Sequence, residues 1–221
     1  MEPGRDCPLC PRLVEHRQAL RLRQPDWHNA PVGAFGDAGA WLAIVGLAPG
    51  ERGANRTGRP FTGDFAGDLL YTTLAEAGLT QGAYAGTPDD GLALVGTRIV
   101  NAVRCLPPHN KPEPLEIRTC RPFLEADLKD MPNLKVVLAL GQVAHQSAVK
   151  ALGGKLPKHP FAHGTVHRLH TGYTLVDSYH CSRYNQNTGR LTAEMFREAV
   201  QAALNERLSP VETTPGGRLS A

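Results

Sequence analysis

The sequence predicts an α/β protein, a three-layer αβα sandwich around a central, mainly parallel, four-stranded sheet. Three observations carry this expectation. Residues 41–45 (WLAIV), 97–103 (TRIVNAV) and 135–140 (KVVLAL) are short apolar runs of the kind that form strands buried on both faces. Each breaks into a loop or turn marked by glycine, proline or polar residues, and each is followed by a segment whose apolar residues have helical spacing. Strand, loop and helix in regular alternation indicate a parallel sheet with helices on both faces.

Composition narrows the possibilities. A chain of 221 residues, 41% hydrophobic and 20% charged, can bury a sizeable single core. No apolar run approaches the roughly 20 residues that span a bilayer, so no membrane partner is expected. The N-terminus lacks the apolar core of a secretory signal, which points to a reducing, cytoplasmic setting where cysteines are thiols or ligands more often than disulfides. The 24 basic and 21 acidic residues leave a net charge of +3, too mild a balance to establish nucleic-acid binding. One domain is expected over residues 1–208, including an N-terminal cysteine-bearing arm. The polar tail 209–221, with its proline and glycines, is expected to be disordered.

In chain order, Cys7-Pro-Leu-Cys10 is a C-x2-C pair followed by a short helix over residues 11–22. The polar segment 24–40 is expected to cross the surface to the first strand. That strand ends at Gly46 and opens a glycine-rich loop running to Asp64. Residues 65–79 then read as an amphipathic helix, with Leu69, Leu70, Leu74 and Ala77 on one face and Gly78 near the end, as a C-cap would be. Residues 84–94 are a glycine-rich connection with room for a small extra strand. The second apolar run leads into Arg104-Cys105-Leu106-Pro107-Pro108-His109-Asn110-Lys111-Pro112. Pro114 begins a helix that extends to about residue 130 and contains Cys120.

After the third strand a helix is expected over 142–152, then a basic, flexible connection at 153–164. Residues 165–169 and 173–176 read as a hairpin or two short strands. A polar loop, 178–190, leads to a final amphipathic helix at 191–208. Ligand sites of open α/β sheets lie beyond the carboxyl ends of the strands. The long loops of this chain stand there.

Cys7, Cys10, Cys105 and Cys120 make two pairs about 95 residues apart. Four thiolates suit a tetrahedral zinc or a [4Fe-4S] cluster, and spacing does not choose between them. Either would pin the N-terminal arm to the loop after the second strand.

Residues 46–50 (GLAPG), 53–64 (GANRTGRPFTGD), 101–105 (NAVRC) and the 180–191 loop resemble the iron-sulfur uracil-DNA glycosylases, most closely the type-5 group. The likeness runs from Cys7 to the last helix. It implies a [4Fe-4S] cluster on the four cysteines, with zinc as the lesser alternative. Type-4 relatives carry glutamate where this chain has Leu47, which favours type 5. A departure is His180-Cys181-Ser182, where relatives often place proline after the histidine.

The resemblance implies a DNA repair enzyme that flips uracil, and other deaminated bases such as hypoxanthine or xanthine, out of double-stranded DNA. Such an enzyme then hydrolyses the N-glycosidic bond, is expected to act as a monomer, and leaves an abasic site. Gly46 and Phe61 belong to the base pocket, with Phe61 placed to stack on the flipped base. Asn101 offers an acceptor and donors to a uracil edge. His180 is suited to donate to O2 of the leaving base. Asp64 either caps the following helix or opposes an oxocarbenium-like sugar and positions water. DNA contacts are expected from Arg56, Arg59, Lys111, Arg183, Asn187 and Arg190, supported by Arg52, Arg104, Lys155 and Lys158. Tyr184 is the expected wedge filling the gap left by the base. The competing reading is a metal-stapled module that binds DNA or a nucleotide without chemistry.

Overall fold

A computed structural model describes residues 1–208 of the chain; the expected disordered tail lies outside them. In chain order the elements are α1 (Pro11–Arg23), β1 (Phe35–Gly36), β2 (Leu42–Gly46), α2 (Ala54–Thr57), α3 (Phe65–Glu76), β3 (Thr80–Gln81), β4 (Ala93–Leu94) and β5 (Thr97–Asn101). They continue with α4 (Pro114–Lys129), β6 (Val136–Leu140), α5 (Gln142–Ala151), β7 (Val166–Arg168), β8 (Thr174–Ser178), α6 (Arg183–Asn187) and α7 (Ala193–Leu208).

The main sheet has six strands in the order β1-β5-β2-β6-β8-β7. Its inner four, β5-β2-β6-β8, are parallel and match the expected number. The two added strands lie antiparallel at the edges. Of these, β1 escapes a periodicity reading because it is two residues long and held by pairing to a longer neighbour. The expected hairpin at 165–176 is the β7–β8 pair, with β8 continuing to Ser178. The small extra strand expected near residue 94 pairs with β3 in a separate two-stranded ribbon.

Why β2 is apolar throughout follows from the two cores. Leu42 and Ile44 face one side and pack with Leu70 and Leu74 of α3 and Phe196 and Val200 of α7. Ala43 and Val45 face the other, with Leu124 and Leu128 of α4 and Ala144 and Ala148 of α5. Alternate side chains of a strand point to opposite faces, so a strand covered on both sides has no polar position to spare. A third small cluster joins Leu13 of α1 to Val103 and Cys120. It fastens the N-terminal helix beside the end of β5.

Candidate active site

Loops from three carboxyl ends of the sheet meet above it. Gly46, the last residue of β2, stands opposite Asn101, the last residue of β5, in the parallel register. The chain leaving β2 turns through Phe61 and Asp64 into α3, and the chain leaving β8 reaches His180 two residues after Ser178. Phe61, Asp64, Asn101 and His180 all line one cleft of about 1060 Å3.

The floor of this cleft is closely fitted. A Cβ on Gly46 would lie 2.7 Å from Cζ of Phe61 and would also strike Oδ1 of Asn101. No side chain fits at position 46, and the strand end, the aromatic ring and the amide share one small space. Phe61 has φ of 52°, a left-handed conformation that costs a non-glycine residue about 1 kcal/mol or more. Its carbonyl accepts from the Tyr84 hydroxyl at 3.2 Å, which helps to hold the turn. Its ring lies 5.9 Å from that of His180, tilted by 31°. Oδ1 of Asn101 and Nδ1 of His180 are buried and have no hydrogen-bond partner among the described residues. Buried polar atoms are seldom left unpaired, and two beside one aromatic face mark a place for a polar, planar ligand.

Asp64 performs the helix-capping role with one oxygen and leaves the other uncommitted. Oδ1 accepts from the backbone N–H groups of Ala66 at 3.1 Å and Gly67 at 3.2 Å. Oδ2 lies against Gly50 and Gly53, and a Cβ on Gly50 would come within 2.8 Å of it. The two glycines let the loop close over the carboxylate. Burial raises the Asp64 pKa above the ordinary carboxylate value, opposed by the two capping hydrogen bonds.

Burial alone pulls the His180 imidazole down to about 4 from 6.5. At neutral pH the ring is therefore neutral, with one N–H and one lone pair. Between pH 6.5 and 4 the unfolded chain takes up a proton at this position and the native chain does not. His180 thus contributes stability in full above 6.5, and that contribution is lost as pH falls toward 4. The urea midpoint of the wild type should fall through this window more steeply than that of His180→Gln. Equal slopes would show that the imidazole is not held neutral.

The positive residues divide into two groups. Arg52, Arg183 and Arg190 line the cleft itself. Arg183 lies over the ring of Phe65 at 5.0 Å and Arg190 over Tyr179 at 4.5 Å. Arg56 lies with Arg52 on an adjoining depression. Lys111, Lys155, Lys158 and Asn187 are exposed, as is Tyr184 of α6 at 71%.

Arg59 and Arg104 depart from the expected DNA face. Arg59 is 6% exposed and forms a two-pronged pair with Asp90 at 2.7 and 2.8 Å, beneath Phe35 and Tyr71. Its charge is spent on holding the loop that carries Phe61. Arg104 is fully buried and paired with Asp127 of α4. Neither guanidinium can reach a phosphate without breaking a buried pair, at a cost of about 3–5 kcal/mol.

The four paired cysteines surround one small recess, with Leu13, Val103 and Phe123 among its other walls. Burial, the leading cause for both, pushes the thiol of Cys10 up to about 11 and that of Cys105 up to about 12. Such thiols stay neutral until a metal supplies the positive charge that favours thiolate. Donors for sulfur are already in place. The backbone N–H of Arg104 points to Sγ of Cys120 at 3.3 Å, and Nη1 of Arg17 to Sγ of Cys105 at 3.6 Å. Four sulfurs with N–H donors and a buried arginine suit a thiolate-bound metal centre. Cys181, the fifth cysteine, is buried in the main core instead.

Residues 34–204 match the family model for the Uracil DNA glycosylase superfamily. The chain belongs to that superfamily. Proteins named type-5 uracil-DNA glycosylase are similar to it over most of their length. That of Thermus thermophilus is 45% identical, covering 89% of this chain and 92% of the relative, and that of Pyrobaculum aerophilum is 38% identical, covering 90% and 88%. A type-4 uracil-DNA glycosylase of Sulfurisphaera tokodaii is 28% identical, covering 81% and 77%.

Sequence reasoning missed one side of this uracil-DNA glycosylase-superfamily cleft. The 153–164 connection, read as basic and flexible, brings Phe161 and Ala162 to the cleft, where Tyr179 joins them. It is tied down by a buried group that the sequence did not single out, His145, His167 and Asp177. Among the described residues, this is the one set of three or more histidine, cysteine or carboxylate ligating atoms lying within 4.8 Å of one another. The available signal was three polar residues at otherwise apolar positions of α5, β7 and β8.

Proposed function

We propose that the protein is a monofunctional glycosylase that removes uracil, and other deaminated bases such as hypoxanthine or xanthine, from double-stranded DNA. The observation that carries this reading is the meeting of Phe61, Asn101, His180 and Asp64 in one cleft, with two partnerless polar atoms at its aromatic floor, in a chain of this superfamily. The extruded base stacks on Phe61. Asn101 Oδ1 accepts the N3–H of uracil, and His180 donates a neutral imidazole N–H to O2, where negative charge gathers as the N-glycosidic bond breaks. The uncommitted oxygen of Asp64 faces the positive charge growing on the sugar and orients the water that adds to C1'. The bonding pair leaves with the base, and the water proton passes to bulk solvent. Among the described residues no lysine lines the cleft, which supports water as nucleophile and an intact backbone at an abasic site.

Arg52, Arg56, Arg183 and Arg190 contact phosphates around the cleft, with Lys111 and Asn187 beyond them, and exposed Tyr184 enters the space left by the base. The four cysteines hold a [4Fe-4S] cluster. Their grouping around one recess supports this reading, with a single zinc as the alternative. When bound, the cluster joins the N-terminal arm to the chain leaving Asn101. We take the active form to be a monomer working on the nucleoid in the cytoplasm. Among the described residues no helix is long and apolar enough to cross a membrane.

A uracil-containing duplex incubated with the protein and then treated with alkali should break at the uracil, whereas protein without alkali should leave it whole. Intact strands after alkali, across uracil, hypoxanthine and xanthine duplexes, would leave a DNA-binding module without chemistry.

A further inference from the structure

We propose that Asp177 and His145 are positioning residues that latch one wall of the cleft, and that this wall sets the fit between one-ring and two-ring bases. Asp177 is fully buried on β8 and both its oxygens are engaged. Oδ1 faces Nδ1 of His145 at 2.7 Å. Oδ2 faces Nε2 of His167 at 2.9 Å and accepts the N–H of Ala162 at 3.2 Å. The other nitrogen of His145, Nε2, lies 2.8 Å from the carbonyl oxygen of His159. A carbonyl can only accept, so Nε2 of His145 carries a proton, and a second proton lies in the 2.7 Å contact between Nδ1 and Oδ1 of Asp177. The two groups that share it are buried as a unit, which is what makes burying both tolerable.

Two of these bonds end on the backbone of the 159–163 segment, at His159 and Ala162. A third tie runs from the backbone N–H of Tyr179 to Nδ1 of His163 at 3.0 Å, with the two rings stacked at 4.9 Å. Phe161 packs between His145, at 5.6 Å, and Tyr179, at 6.0 Å. Phe161, Ala162 and Tyr179 face the cleft, so the buried pair holds a wall that it does not itself form. The same three residues also form a candidate cation site, but separations of 2.7 and 2.9 Å are those of hydrogen bonds. The donors of a tetrahedral zinc stand about 3.3 Å apart. Slackening the wall deprives a one-ring base of its packing, while a two-ring base still spans the space.

The selectivity part rests on the proposed glycosylase function; the latch does not. Nitrogen-15 NMR of the wild type should show two protonated ring nitrogens on His145, and one in Asp177→Asn. Amide exchange at Ala162 should quicken at least tenfold in that variant. Under single-turnover conditions Asp177→Asn and Phe161→Ala should each slow release of uracil about tenfold and of hypoxanthine by less than half that factor. A singly protonated His145, a stoichiometric divalent metal on the wild type, or unchanged exchange at Ala162 would overturn the latch. Equal losses on the two bases in Phe161→Ala, which leaves the buried pair intact, would overturn the selectivity. Should wild-type protein release neither base, the proposed function fails while the NMR and exchange measurements still decide the latch.

Discussion

Asp64→Asn is expected to slow single-turnover uracil release by about 10²–10³-fold while leaving the melting temperature within a few degrees of wild type. Asparagine is as good a helix N-cap as aspartate, so the two bonds from Ala66 and Gly67 survive. What is lost is the negative charge on the oxygen seated against Gly50 and Gly53. Burial raises the pKa of this carboxyl, so little water surrounds it and its field toward the cleft is weakly screened. Removing one such pre-placed stabiliser of developing charge costs on the order of 10²–10³ in rate. The raised pKa also places the acid limb of the rate profile above the ordinary carboxylate range. Asp64→Ala should add about 1 kcal/mol of instability to the same loss of rate. A full rate in Asp64→Asn would reduce this residue to a cap.

Cys105→Ser or Cys120→Ser is expected to abolish bound iron and the brown colour, and to lower stability by about 3 kcal/mol, as removal of a native cross-link does. For a chain of this length that is a fall in melting temperature of roughly 6–12 °C. The recess is where α1, α4 and the loop after β5 meet, and the cores that join α1 to the rest are small there. Cys181→Ser is the control. That thiol lies in the main core, away from the recess, so its loss should cost stability but no iron. Stoichiometric zinc on a colourless wild-type protein would contradict the cluster assignment.

Much of the molecule is legible in its residues because the informative segments obey local rules. Leu42–Gly46 and Val136–Leu140 are apolar at every position because both faces of the sheet are covered. Pro114 stands at the first turn of α4 with a capping box between Glu113 and Glu116. Of the cleft residues, Asn101 ends β5 and His180 follows β8 by two residues, while Phe61 and Asp64 lie on the long loop between β2 and α3, and their motifs are long. What was not legible depends on distant partners. Arg59 looks like any loop arginine until Asp90 closes on it, 31 residues away. Arg104 is claimed by Asp127, and the two-residue edge strand β1 exists only because β5 offers it a partner. The wall formed by Phe161 was hidden for the same reason, since its anchors Asp177 and His145 belong to other elements.

The most direct measurement is a crystal structure of the protein with an abasic duplex and free uracil. The ring should lie over Phe61, its N3–H about 2.9 Å from Oδ1 of Asn101, with O2 beside His180 and the abasic sugar next to Asp64. Uracil held elsewhere, with the Asn101 oxygen still without a partner, would contradict the account.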